Sequence, residues 1–182
     1  MKQRLAVING SYNRDGLTAR CLGSRSAALA EELGIGKEEV AFIFPDNDIR
    51  SCIGCKPGKC VIGCRFDYGD GFGEIAAAIQ NATAILIGSP VYLDMPTPKI
   101  MALLCRLNCY AENTKREFFR GKRVYLHANG FCSGTKSTIA AMMGACEMLG
   151  FDIPGRSTTE YIIKWEDKKI RGGMDPGCWL KP

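Results

Sequence analysis

Five short runs along the chain are almost continuously apolar and rich in β-branched residues: Arg4–Asn9, Val40–Phe44, Thr83–Gly88, Arg123–Ala128 and a weaker Thr158–Ile163. They lack the strict apolar–polar alternation of a half-solvated strand, so they read as strands buried on both faces of a parallel sheet. Segments of helical periodicity separate them. Leu22, Leu29 and Leu33 share one side of a helix over Leu17–Leu33, and Ile75 and Ile79 mark a short helix before the third strand. Thr97 followed by Pro98 reads as an N-cap with proline at the first helical position, opening a helix through Ile100, Leu103, Leu104 and Leu107. A last helix, Thr135–Leu149, repeats apolar residues at Ile139, Met142, Cys146 and Leu149 and stops at Gly150. Met142, Met143 and Met148 read as core filler. This β–α alternation predicts an α/β fold, a doubly wound five-stranded parallel sheet with helices on both faces. Ligands of such sheets bind beyond the carboxyl ends of the strands, where strand order reverses.

Length and composition fit that picture. The 182 residues suit one domain, predicted over 1–163 with a cysteine-rich insert at 50–70, followed by a tail at 164–182. The tail holds Trp165, Trp179 and Cys178 but no periodic pattern. With 46% hydrophobic and 24% charged residues and no internal repeat, the composition is that of a soluble globular protein. The longest apolar runs are strand-length, which predicts no membrane span, and Met1–Arg4 leads straight into the first strand without a secretory segment, which predicts a cytoplasmic location. The net charge of +5 gathers partly in Lys115, Arg116, Arg120, Lys122 and Arg123. No stripe of basic and aromatic residues accompanies them, so nucleic acid is not an expected partner and the run reads as a solvated connection.

Candidate chemistry falls at the carboxyl ends of three strands. After the first comes Gly10-Ser-Tyr-Asn-Arg-Asp-Gly16-Leu-Thr18, a turn entering a helix, where backbone N–H groups and the helix dipole favour a phosphate and Ser11 and Thr18 add hydroxyl donors. It matches neither the Walker A spacing nor G-x-G-x-x-G. After the third comes Ser89 to Thr97, stiffened by Pro90 and Pro96, whose apolar and aromatic surface beside backbone amides suits a planar heterocycle. After the fourth comes Asn129-Gly130-Phe131-Cys132-Ser133-Gly134, with the glycine content of a loop that approaches a ligand closely.

Cys52, Cys55, Cys60 and Cys64 follow the second strand with the spacing C-x2-C-x4-C-x3-C. Gly54, Pro57, Gly58 and Gly63 let that segment wrap around one inorganic centre, and the spacing leaves both an iron–sulfur cluster and structural zinc open. Cys105 and Cys109, one helical turn apart, read as two buried thiols acting as small hydrophobes. Cys21, Cys132, Cys146 and Cys178 carry no spacing signal. His127, the only histidine, reads as a satisfied core residue, and Asp67, Asp70 and Glu74 as caps of the short helix.

Taken in order, Asn9-Gly10-Ser11 through Gly16-Leu17-Thr18, the Cys52-x-Gly54-Cys55 segment, Gly88-Ser89-Pro90-Val91-Tyr92 and Asn129-Gly130 resemble the flavodoxin-like NAD(P)H-dependent FMN reductase and iron–sulfur flavoprotein family. The resemblance implies an FMN-dependent oxidoreductase or electron-transfer flavoprotein. It places FMN phosphate on the first loop at Ser11, Asn13, Gly16, Leu17 and Thr18. It places the isoalloxazine between Pro90, Val91, Tyr92, Leu93 and Asp94 on one side and Asn129, Gly130, Phe131 and Gly134 on the other. It further implies a [4Fe–4S] cluster on Cys52, Cys55, Cys60 and Cys64 near the flavin edge, NAD(P)H as a candidate donor, small-molecule or protein electron partners, and a homodimer or homotetramer. The chain departs from the family pattern at Asn13, Leu17, Met101 and Cys105-Arg106, and in its cysteine spacing. Three other readings therefore stand beside it: the first two are a cluster-free NAD(P)H-dependent FMN or quinone reductase, and a zinc-stabilised flavodoxin-like binding module without redox turnover. A pure electron carrier is the third.

Overall fold

Alternate residues of the central strands point into two different hydrophobic layers, as a sheet covered on both faces requires. In β1 (Leu5–Asn9), Leu5 and Val7 face a layer with Leu22 and Leu29 of α1 (Leu17–Leu33), while Ala6 and Ile8 face the opposite layer. That second layer is larger. It gathers Ile75 and Ile79 of α2 (Phe72–Asn81), Ile100, Leu103 and Leu107 of α3 (Pro98–Asn113), and Ile139 and Met142 of α4 (Thr135–Leu149). The computed structural model describes residues 3–45, 49–55, 60–64, 69–131, 133–155 and 158–163, the last five by backbone alone. Pro57, Gly58, Asp67, Cys132 and the tail 164–182 lie outside the described residues.

The remaining strands are β2 (Val40–Ile43), β3 (Ala84–Pro90), β4 (Arg123–Phe131) and β5 (Thr158–Ile163), and the sheet order is β2-β1-β3-β4-β5, all parallel. Strand order reverses between β1 and β3, so the ligand crevice of a doubly wound sheet falls there. Among the described residues no helix is long and apolar enough to cross a membrane.

Three sequence expectations change. β2 is not buried on both faces: Ala41 and Phe42 are exposed, because β2 is an edge strand. β3 and β4 run further than the apolar runs indicated, through Pro90 and Phe131. The ladder accounts for this, since Asn129 pairs with Pro90 on one side and Asn129 to Phe131 pair with Tyr161 to Ile163 on the other. Finally, Lys122 is not simply solvated. Its ammonium donates to the carbonyls of Gln80 and Ala82 at 2.7 and 2.9 Å, closing the end of α2.

His127 lies buried on β4, and burial, with the Arg25 charge, pushes its imidazole down to about 4 from 6.5. The native state therefore holds it neutral, and its stabilising contribution is complete above pH 6.5 and lost as pH falls towards 4. Urea unfolding should show stability falling by at most about 1.4 kcal/mol per pH unit across that window from this group. His127→Gln should remove that part of the slope.

Candidate functional site

The first loop enters α1 without a side-chain cap. Gly16 is the N-cap, no acidic residue sits in the first turn, and the first backbone bond runs from Arg20 N to Gly16 O at 3.2 Å. The amides of Leu17, Thr18 and Ala19 thus begin the helix with no side chain offered to them by Gly16. The loop before them is self-braced. Asn9 Oδ1 accepts the Ser11 amide at 2.9 Å, Ser11 Oγ the Asn13 amide at 3.1 Å, and Asn13 Oδ1 the Asp15 amide at 3.1 Å. At its root Gly10 N donates to Gly88 O at 2.7 Å, across the reversal point of the sheet. A Cβ at Gly10 would lie 2.3 Å from Ile100 Cγ1, so only glycine admits this approach.

The second loop is latched to the first through Thr97. The predicted N-cap stands where expected, yet its hydroxyl caps nothing in α3 and instead donates to Gly10 O at 2.8 Å, while its amide donates to Ser89 Oγ at 2.9 Å. Between these anchors Tyr92 and Met95 exchange backbone bonds at 2.9 and 3.0 Å around Leu93 and Asp94, whose φ angles are +49° and +59°. Two consecutive left-handed non-glycine residues form a tight, strained turn. It presents Tyr92, Leu93 and Met95 to solvent at the rim.

The third loop closes on the second. Val91 N donates to Asn129 O at 2.9 Å, and Ser133 Oγ approaches Asp94 Oδ1 at 3.4 Å. Gly134, at φ +82°, lets α4 begin so near that an added Cβ would fall 2.2 Å from Asp94 Oδ1. Tyr12 and Tyr92 stack across the rim with ring centroids 6.1 Å apart. The three loops thus meet, bringing Ser11, Asn13, Gly16, Leu17 and Thr18 to one rim with Pro90 to Asp94 and with Asn129, Gly130, Phe131 and Gly134. Two buried polar atoms there, Asn9 Nδ2 and Asn129 Oδ1, have no hydrogen-bond partner among the described residues, a state usually resolved by a ligand or water.

Sequence reasoning missed Lys99 and Tyr12, and quoted Asn9 only as part of the first loop's motif. The Lys99 ammonium is buried, donates to Ser11 O and Pro45 O at 3.1 Å each, and sits 4.5 Å from the Tyr12 ring centre. One signal was available: a lysine in the first turn of a helix opposes the dipole and asks for a tertiary reason.

The described parts of the cysteine segment lie against α3. Arg106 Nη1 reaches Arg50 O at 3.5 Å, and Asn113 Nδ2 donates to Cys60 O at 3.1 Å. Burial, then the Cys55, Cys64 and Cys52 sulfurs and Glu112, push the Cys60 thiol up, so the four sulfurs sense one another. Left-handed backbone at Gly54, Gly63 and Cys64 wraps the segment. Among the described residues, however, no three His, Cys, Asp or Glu side chains are placed to hold a metal ion. Cys109 is buried as expected, but Cys105, one turn earlier on the same stripe of α3, is exposed. Asp70 does accept the Phe72 amide at 3.3 Å in the manner of a cap. Its other oxygen binds the guanidinium of fully buried Arg106, which also lies 4.0 Å over the Phe72 ring and faces Cys64. Burial alone would raise the Asp70 carboxyl; the Arg106 hydrogen bond, with the Arg50 and Phe72 amides, brings it below its ordinary value.

Residues 3–158 match the family described as NADPH-dependent FMN reductase. An iron–sulfur flavoprotein of Methanocaldococcus jannaschii is 32% identical over 103 residues, covering 54% of this chain and 49% of that protein. The match thus spans about half the length of that relative. Three solved structures share the fold. RosB, with bound 8-demethyl-8-formylriboflavin-5'-phosphate, superposes with a TM-score of 0.69 at 18% identity, over 96% of this chain and 68% of its own. An NADH:FMN oxidoreductase gives 0.55 at 16% over 93% and 79%, and an archaeal flavodoxin 0.52 at 12% over 93% and 90%.

Removing one partner of a buried ion pair strands the other, at a cost of about 3–5 kcal/mol. Asp70→Asn should lower unfolding stability by that order in urea. Asp70→Leu combined with Arg106→Met should recover most of the loss.

Proposed function

The chain belongs to the NADPH-dependent FMN reductase family, and from that membership we propose that it is a flavin-dependent oxidoreductase carrying FMN at the carboxyl edge of its sheet. The observation that carries the proposal is the uncapped, acid-free start of α1 beside two loops locked onto it. The first-turn amides, with Ser11, Asn13 and Thr18, would hold the phosphate. Pro90 to Asp94 and Asn129 to Gly134 would flank the ring, and the unmatched atoms of Asn9 and Asn129 suit a ligand with polar edges. Bound FMN supplies the hydride and one-electron chemistry. The chain's part is to orient the ring and exclude water with its apolar rim. NAD(P)H as donor, and small-molecule or protein acceptors, follow from the family. A homodimer or homotetramer is the assembly we propose.

The cysteines allow three readings. Their soft sulfur donors, and the iron–sulfur relative, support a [4Fe–4S] centre on Cys52, Cys55, Cys60 and Cys64. That no three of the described side chains are placed to hold a metal favours a cluster-free NAD(P)H-dependent reductase, and structural zinc is the third reading to test. The resident group is identified by iron, sulfide and zinc analysis of protein purified without oxygen. Iron and sulfide in equal amounts support the cluster, zinc alone the structural site, and neither the cluster-free enzyme.

The phosphate site has its own test. Leu17→Asp puts a carboxylate at the first turn of α1, which the helix tolerates and a phosphate does not. Fluorescence titration should show FMN binding at least about tenfold weaker, about 1.4 kcal/mol, with riboflavin binding unchanged. Equal weakening of both ligands, or of neither, would remove the phosphate from this loop.

A further inference from the structure

A buried ammonium is costly, and in the first turn of a helix the dipole adds to the cost. Lys99 is 4% exposed and is the second residue of α3. Two carbonyls and a ring face surround its Nζ: Ser11 O and Pro45 O at 3.1 Å each, and the Tyr12 ring centre at 4.5 Å. Two of these three groups belong to the first loop, so the ammonium lies against that loop's inner side. The Ser11 carbonyl and the Tyr12 N–H are the two ends of one planar trans peptide and point in opposite directions. With the carbonyl turned in to Lys99, the Tyr12 N–H faces outward. That N–H has no acceptor among the described residues. The Ser11, Asn13 and Asp15 amides, by contrast, are taken by the side-chain oxygens of Asn9, Ser11 and Asn13. Between Gly10 and Thr18 the loop's own charges, Arg14 and Asp15, offset each other, so Lys99 sets the sign of the charge behind it.

We propose that Lys99 is the positioning residue of the first loop: it turns the Ser11–Tyr12 peptide so that the Tyr12 N–H faces an anion, and it backs that donor with a fixed positive charge. The loop thereby prefers a flavin that carries a phosphate dianion over one that carries none. This rests on the reading that the first loop holds the FMN phosphate. A peptide whose carbonyl accepts a charge-assisted bond is polarised, and its N–H is the stronger donor for it. The same ammonium lies under the Tyr12 ring, which stacks on Tyr92, so it also steadies the aromatic contact across the rim. A neutral donor in its place could tie the two carbonyls but would bring neither the charge nor the ring contact.

The full chain, stripped of bound flavin, is titrated with FMN and with riboflavin by flavin fluorescence, and the ratio of the two affinities is compared among variants. Lys99→Gln keeps a donor and removes the charge. It should bind FMN about tenfold or more weakly, with riboflavin affinity within about twofold of the wild type. Lys99→Arg keeps the charge and should recover most of the ratio. Melting of the flavin-free proteins is recorded beside the titrations. A tie that only holds the fold together would lower melting and weaken both flavins alike, leaving the ratio unchanged. That result, or a Lys99→Gln protein that binds both flavins like the wild type, overturns the role of Lys99 alone. A wild-type protein that binds FMN no more tightly than riboflavin overturns it together with the phosphate reading of the loop. Should Lys99→Gln not fold, phosphorus NMR of FMN bound to the wild type carries the test. The phosphate should stay dianionic at about pH 5, below its ordinary second pKa of about 6, and one that titrates as it does free in water overturns the proposal.

Discussion

The hydroxyl of one buried threonine holds the functional rim together. Thr97 stands at the start of α3, where a threonine ordinarily turns its oxygen inward to cap the helix. Here that oxygen donates outward to Gly10 O, and the Thr97 amide is bound by Ser89 Oγ. One residue thereby ties the end of β1, the end of β3 and the start of α3 at the point where the sheet reverses. Lys99, two residues on, repeats the tie from beneath, joining the first loop at Ser11 to the segment after β2 at Pro45. Proline at position 98 supplies the helical start that the missing cap does not, since its fixed φ is already helical. The site is built by diverting capping groups from the helix to its neighbours.

That arrangement explains how the rim supports an unfavourable turn. Leu93 and Asp94 occupy left-handed backbone, which costs of order 1–3 kcal/mol per residue and survives only where the surroundings over-determine it. Three things do so here: the paired Tyr92–Met95 bonds, the Val91–Asn129 bond at the turn's root, and the close approach of Gly134. The outcome is a short, stiff projection with apolar side chains facing solvent. A surface of this kind is what stacking a planar ring requires, because it need not be ordered when the ring arrives.

Much of this was legible in the residues. Apolar runs located β1 to β4, since strands buried on both faces need no alternation, and Gly150 marked the end of α4. The three loops were found because the reversal rule says where to look, and the structure brings them together. The strand ends were less legible: Asn129 to Phe131 look like loop until a ladder with both neighbours uses their backbone groups. Tertiary pairings were not legible at all. Nothing near Asp70 announces Arg106, 36 residues away, and nothing near Lys99 announces Ser11, because burying a charge depends on where two distant segments cross. Cys105 misled for a related reason, as spacing puts it on one stripe with Cys109 but only packing decides how far along that stripe the cover extends.

Rim and cysteine segment hang on the same strut. α3 carries Thr97 and Lys99 in its first turn, Arg106 and its Asp70 partner in the middle and Asn113 at its end, and each holds a different piece of chain. The buried Arg106–Asp70 pair is central to this. A guanidinium with no access to water is tolerable only while its carboxylate is present, so the segment bearing Asp70 is bound to the helix by electrostatic necessity more than by packing. The thiols and the rim lie at different levels of one helix, with about 12 Å of axis between Pro98 and Arg106. One helix thus holds both the rim and the described parts of the cysteine segment.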